Sequence, residues 1–314
     1  MSSEGDPVAP GTEVVTSPPE ERETLRERVA VLHYAAMEHV AMRWPERSGR
    51  ALFDLYARLM HGAMPQLRNT VAANLSRVLG RPADSDVVQA AVREAFHLYG
   101  RYWYETFRLR VMPLEEVNKR FVVEGLENVD RALEEGKGAI VALPHMGNWD
   151  VAGHFMCVNG YRLAAVAELL RPKRVFEQFL RHREALGMRI VPLTSGREAG
   201  YEIGGLLLQN WLVALVADRD LGGRGVDVEM FGATRKLPAG PALLSIRTGS
   251  PLLACPVLTT EEGWLCRISE PLRIEATGKT RSDVIALTRL LAQHFERAIA
   301  AKPVDWHMFQ PAWP

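Results

Sequence analysis

Between about Thr24 and Met112 apolar residues recur at three- and four-residue spacing. In ALFDLYARLMHGAM they are Leu52, Leu55, Tyr56, Leu59, Met60 and Ala63. In DVVQAAVREAFHLYGRYWYETFRL they are Val87, Ala91, Phe96, Tyr99, Trp103 and Phe107. This spacing predicts helices and leaves no strand in the region. After Pro113 the pattern changes to short apolar runs bounded by polar or glycine-containing segments. GAIVAL (138–143), RLAAVAEL (162–169), RIVPL (189–193) and WLVALVA (211–217) read as buried parallel strands. Helices are expected over about 149–159, 173–186, EAGYEIGGLLLQ and 281–300. VDVEMF, PLLACPVL and GWLCRIS read as further strands.

Strands alternating with helices predict an α/β fold: a helical N-terminal part followed by a mostly parallel central sheet flanked by helices. The expected organisation is a disordered lead-in over 1–22, a helical subdomain over 23–112 and an α/β core over 113–314. The first residues, MSSEGDPVAPGTEVVTSPPEERE, have neither the basic start nor the apolar core of a signal peptide. No run approaches the roughly 18 consecutive apolar residues of a membrane span.

The candidate chemistry starts at LPHMGNWD (143–150). His145 lies just past the C-terminal end of a predicted strand, the edge where open α/β sheets bind ligands. Asp150 follows five residues later. On an unbroken helix the two would point about 140° apart. Pro144 and Gly147 allow a turn that brings them together. Histidine suits general-base catalysis at neutral pH. A carboxylate on its other ring nitrogen would fix the tautomer, so the expectation is His145 as base oriented by Asp150. The plain alternative is that Asp150 caps a helix. Asn148, in the same turn, is a candidate substrate contact. No G-x-S-x-G elbow supplies a protein nucleophile.

ADRD (217–220) ends another apolar strand, so Asp218 and Asp220 fall at the same edge, with Arg219 as an anion contact. Which of the two aspartates assists the histidine stays open at this point. The stretch 169–189 is locally basic, with Arg171, Lys173, Arg174, Arg181, Arg183 and Arg189, and suits an anionic cofactor or phospholipid head group.

Composition narrows the classes. The chain has 314 residues, is 47% hydrophobic and carries a formal net charge of zero, so it has material for a sizeable core and no global charge for nucleic acid. Cys157, Cys255 and Cys266 fit neither a disulfide framework nor a CxxC metal site, and a reducing compartment is the simpler reading. No metal site is expected.

Two blocks carry a resemblance. FVVEGLENVDRALEEGKGAIVALPHMGNWDVAG and LVADRDLGGRGVDVEMFGATRKLPAGPALLSIRTGSPLLACPVL are similar to the bacterial lipid A biosynthesis acyltransferase family, with its H-x-x-x-x-[DE] motif. The closing PVDWHMFQPAWP resembles the actinobacterial phosphatidylinositol mannoside acyltransferase branch. The resemblance covers about residues 30–314. It implies an acyltransferase without a cofactor, peripheral on the cytoplasmic face of the cell membrane. Such an enzyme moves a long, palmitoyl-like acyl chain from acyl-CoA to a mannose 6-hydroxyl of phosphatidylinositol mono- or dimannoside. His145 and Asp150 match the family's catalytic pair, and Asp218 matches an acidic residue near that histidine. Glu168 and Arg183 fall where the mannoside branch has polar residues lining the site. The alternatives are another glycolipid acceptor, an acyl-CoA thioesterase and a non-catalytic lipid-binding protein. The N-terminal helices, with Tyr56, Tyr102, Trp103 and Tyr104, are expected either to meet the lipid interface or to cover the sheet.

Overall fold

A computed structural model describes residues 24–168, 172–193, 198–220 and 222–313. The lead-in expected over 1–22 and the basic residue Arg171 lie outside the described residues. Helix α1 (Leu25–Arg43) starts at a capping box: Thr24 Oγ accepts the Glu27 N–H, and the Glu27 carboxylate accepts the Thr24 N–H at 2.8 Å. Helix α2 (Glu46–Ala63) follows Pro45, and α3 (Pro65–Leu79) opens on a proline at its first position and stops at a left-handed Gly80. Helix α4 (Asp86–Arg108), capped by Ser85, is the long central member.

These are the helices the spacing predicts, but their packed faces differ from the expected ones. Helix α2 packs through Gly49, Phe53 and Ala57, while Leu55 and Leu59 stay more than half exposed. A Cβ on Gly100 would sit 2.9 Å from Ala57 Cβ, and one on Gly49 would sit 2.8 Å from the Tyr104 ring. Small residues therefore select the contact between α2 and α4, overriding the larger apolar stripe. In α4 the buried positions begin at Val88 and Val92, and Val87 is exposed.

A short helix α5 (Leu114–Arg120) leads into strand β1 (Phe121–Glu124), helix α6 (Leu126–Glu134) and strand β2 (Ala139–Leu143). Then follow α7 (Trp149–Val158), β3 (Leu163–Glu168), α8 (Lys173–Ala185), β4 (Arg189–Leu193), α9 (Glu198–Leu208) and β5 (Leu212–Val216). The chain closes with β6 (Val226–Met230), β7 (Ala233–Leu237), α10 (Gly240–Thr248), β8 (Leu252–Ala254), β9 (Val257–Thr259), β10 (Trp264–Arg267) and α11 (Thr280–Ala301).

The central sheet has the order β4-β3-β5-β2-β8 and every pairing in it is parallel. Strand β2 is buried along its whole length, as expected of a strand covered on both faces. Ile140 and Ala142 face the cluster with Ile203, Leu206, Leu291 and Phe295, from α9 and α11. Ala139 and Val141 face the cluster with Val151, Met156, Phe176 and Met188, on the side of α7 and α8.

Two expected strands behave otherwise. PLLACPVL divides at Pro256 into β8, in the central sheet, and β9, which joins a smaller sheet of order β1-β10-β9. Proline has no N–H to continue the ladder. Strand β6 leaves the central sheet to form a hairpin with β7. Strands β1 and β7 and helices α5, α6 and α10 were not expected from the pattern. Both strands are five residues or shorter, and in β7 one of the buried positions is an arginine, Arg235, so hydrophobicity does not mark the strand.

Candidate active site

The site is built by strand register. Strands β2 and β5 are neighbours, and Leu143 pairs with Val216 at their C-terminal ends. Two residues further along each chain stand His145 and Asp218. The Ala217 N–H donates to the Leu143 carbonyl at 2.8 Å, so the two loops leave the sheet in step. The turn after His145 needs glycine at 147, where φ is +58° and a Cβ would lie 2.3 Å from the Val257 carbonyl oxygen.

His145 Nδ1–H donates to Asp218 Oδ1 at 2.5 Å, and the His145 backbone N–H donates to Asp218 Oδ2 at 3.0 Å. Trp306 Nε1–H donates to the same Oδ2 at 2.8 Å, and Arg235 donates to the Asp218 backbone carbonyl at 2.6 Å. Asp218 is fully buried. Burial alone would raise its pKa. The charge of His145, the hydrogen bonds from His145 and Trp306, and the charge of Arg235 outweigh that and hold it at about 2. The carboxylate is therefore ionised at neutral pH, and it commits the His145 proton to Nδ1. In the neutral ring Nε2 is then the nitrogen with a free lone pair. The His145 side chain is 23% exposed, enough to meet a substrate.

Sequence spacing pairs His145 with Asp150; the structure pairs it with Asp218 instead. Asp150 sits in the first turn of α7, which carries it away from the imidazole. Arg183 donates to it from Nε at 2.5 Å and from Nη2 at 3.2 Å, and Tyr102 Oη–H donates at 2.8 Å. Burial would pull the Arg183 pKa down, but Asp150 pulls it up, so the guanidinium stays charged. Burial beside Asp150 pushes Tyr102 well up, so it remains a donor. Asp150 thus ties together α4, α7 and α8.

The other predicted residues separate. Asp220 closes its own turn, accepting N–H groups from Gly222 at 3.2 Å and Gly225 at 2.7 Å. Glu168, at the end of β3, is bonded to Arg219, and both stand at the sheet edge that carries His145. Asn148 is a correction: it is buried and caps α7, accepting the Val151 N–H at 3.1 Å, so it presents nothing to a substrate. Arg183 is likewise no part of an exposed basic surface. The sequence pattern does not single out Trp306, His307 or Arg235, and it leaves Tyr102 either at a lipid interface or in a cover over the sheet. Tyr102 and Tyr104 are core residues.

Beside the pair, on the α7 side of the sheet, lies a narrow apolar cavity with about 710 Å³ of empty space including its open mouth. Leu143, Trp149 and Val216 line one end, near His145, and Leu163, Leu212 and Met188 line the other. It therefore follows the strands for about 13 Å, four steps of roughly 3.3 Å. Free Cys255 and Cys266 stand in its wall.

Comparison with known proteins decides the family. The profile of the bacterial lipid A biosynthesis acyltransferases matches residues 19–314. The chain belongs to that family. Phosphatidylinositol mannoside acyltransferase of Mycolicibacterium smegmatis is 37% identical over 289 residues, covering 91% of this chain and 92% of that protein. Phosphatidylinositol mannoside acyltransferase of Mycobacterium tuberculosis is 39% identical over 287 residues, covering 89% of this chain and 87% of the relative. The protein is an acyltransferase.

In this acyltransferase the ion pair of Asp150 and Arg183 flanks the apolar cavity. Asp150→Ala is expected to strand a buried guanidinium and to destabilise the fold by about 3–5 kcal/mol. Urea unfolding measures this. An unchanged midpoint would mean that Asp150 does not hold the helices together.

Proposed function

We propose that this acyltransferase moves a long acyl chain from acyl-CoA to a mannose hydroxyl of a phosphatidylinositol mannoside, with His145 as general base. The observation that carries the reading is the His145–Asp218 pair beside an apolar cavity, with the His145 ring edge-on to Trp149 of the cavity wall. The names of the two relatives support the acceptor.

In the proposed reaction the acyl chain lies in the cavity with its thioester carbonyl at the mouth. The acceptor hydroxyl gives its proton to His145 Nε2, and its oxygen forms a bond to the carbonyl carbon. Asp218 stabilises the imidazolium. The carbon–sulfur bond breaks, and the thiolate of CoA takes the proton back from Nε2. Ester and free thiol are the products, and the base is regenerated. The mannose 6-hydroxyl is the expected acceptor because it is primary and least hindered. Glu168 and Arg219, paired with each other at the same sheet edge, are the proposed contacts to the polar part of the acceptor or of CoA.

A lipid acceptor calls for contact with a membrane surface, and here the reading is interfacial binding on the cytoplasmic face. Among the described residues no helix is long and apolar enough to cross a membrane. Leu25, Val29 and Leu32 form one stripe along α1, at spacings of four and three, and each is more than half exposed, as are Leu55 and Leu59 on α2. These replace the aromatic residues of α4 as the apolar contact. Helix α8 packs against α1 and carries exposed Lys173, Arg174 and Arg181. Each basic group near an anionic leaflet adds about 1 kcal/mol.

The test is an assay on vesicles of phosphatidylinositol with and without its mannosides, following free thiol, acylated lipid and sedimentation. Acylated lipid formed only with the mannoside, by protein that sediments with the vesicles and is partly released by salt, is the expected result. Thiol release without any acceptor would turn the reading to a thioesterase. Absence of release would turn it to a lipid-binding protein.

A further inference from the structure

We propose that Trp306 is a positioning residue of the acyl transfer: its indole N–H locks the Asp218 carboxylate in the one orientation that holds the His145 ring. The inference rests on the reading of His145 as the base.

Trp306 lies 88 residues from Asp218, in the segment that follows α11 and a 3-10 turn at Pro303–Asp305. This segment is stitched to the loop that carries the histidine. Gly147 N–H donates to the Asp305 carbonyl at 3.1 Å, and His307 N–H donates to the His145 carbonyl at 2.7 Å. Between them Met146 and Trp306 form an antiparallel bridge. The His307 side chain donates from Nε2 to the Gly147 carbonyl at 3.0 Å. The backbone on both sides of Trp306 is therefore set against the site.

The indole has little freedom of its own. It is buried, with the Arg235 guanidinium 5.4 Å from its ring and Trp313 5.9 Å away, edge-on. A tryptophan that served packing alone could direct its N–H to any nearby carbonyl. This one directs it to Asp218 Oδ2, the oxygen that also accepts the His145 backbone N–H. Two donors on Oδ2 prevent the carboxylate from turning about its Cβ–Cγ bond. Oδ1 is thereby held at Nδ1, and the proton stays on the ring nitrogen that leaves Nε2 free. With the indole N–H removed, one backbone donor remains on Oδ2, and the carboxylate gains a rotation that breaks the contact with the ring.

The experiment uses the full chain with Trp306→Phe, and with 3-benzothienylalanine at 306, which keeps the bicyclic shape and exchanges N–H for sulfur. The second variant separates loss of the hydrogen bond from loss of packing. Turnover is expected to fall about 10–100-fold, the range for losing a hydrogen bond to a charged group, with KM for acyl-CoA unchanged. The low-field proton resonance of the His145 Nδ1–H, read by NMR on the resting protein, is expected to shift or broaden away in both variants. Turnover within twofold of the parent in the benzothienyl variant would overturn the proposal. So would a fall confined to KM, or a fall with the Nδ1–H resonance unmoved, since Trp306 would then act on the fold or on binding. His145→Ala measured in parallel separates the two readings: if it stays active, the base assignment fails, while the resonance still reports whether Trp306 positions Asp218.

Discussion

His145→Ala is expected to lower acyl transfer by about 10²–10⁴-fold, the usual contribution of a positioned general base, with the fold intact. The side chain is partly exposed, and its ring bonds to Asp218 without filling the core. The loop is carried by backbone contacts that alanine keeps: Gly147 to Asp305, His307 to the residue-145 carbonyl, and the Met146–Trp306 bridge. The loss should therefore fall on turnover in a protein that still folds, with a lowered unfolding midpoint because the buried Asp218 carboxylate loses a charged partner. A variant that retains more than half of the parent's rate would end the assignment of His145 as base.

Asp218→Asn is expected to be as damaging or worse, up to about 10⁴-fold in turnover, by the logic of a carboxylate that holds an imidazole tautomer. The geometry decides which way the amide turns. Two donors, the His145 backbone N–H and the Trp306 indole N–H, converge where Oδ2 stands, so the asparagine oxygen must face them. Its NH₂ then faces the ring, Nδ1 becomes the acceptor, and the proton moves to Nε2. The histidine is held firmly in the form that cannot take a proton from a hydroxyl.

The same substitution has a pH signature. The folded-state pKa of Asp218 is lowered to about 2, below the unfolded value of about 3.9. A depressed carboxylate stabilises the fold fully above the unfolded pKa, and that stabilisation is lost as pH falls toward 2. The stability difference between parent and variant should be full at neutral pH and shrink between about pH 5 and pH 2. A difference independent of pH would show that the carboxylate charge is not what holds the pair.

Much of the fold is legible in the chain. The parallel strands over 139–143, 163–168, 189–193 and 212–216 stand out because a strand buried on both faces must be apolar throughout. Helices α7, α8, α9 and α11 are marked by their spacing. Their order alone places His145 and Asp218 at strand ends, where an open α/β sheet binds ligands. The faces of the N-terminal helices are less legible. Hydrophobic spacing selects Leu55 and Leu59 for the core, yet Gly49, Ala57 and Gly100 allow a closer contact elsewhere on α2. The short strand β1 is equally hidden, since its partner β10 lies about 140 residues away and its four residues carry little pattern.

The sequence by itself determined the strand ends at which His145 and Asp218 stand and the family to which the chain belongs. Only the tertiary structure decided the partner. A motif of five residues suggests that His145 and Asp150 meet, but a helix that begins at Trp149 turns Asp150 toward Arg183 and Tyr102. The pairing of Leu143 with Val216 brings in Asp218 from 73 residues away, and the tail brings in Trp306 from 88 residues beyond that. Periodicity and spacing act within a few turns of one segment. Which carboxylate faces an imidazole depends on strand register, and register is set by the packing of the whole sheet.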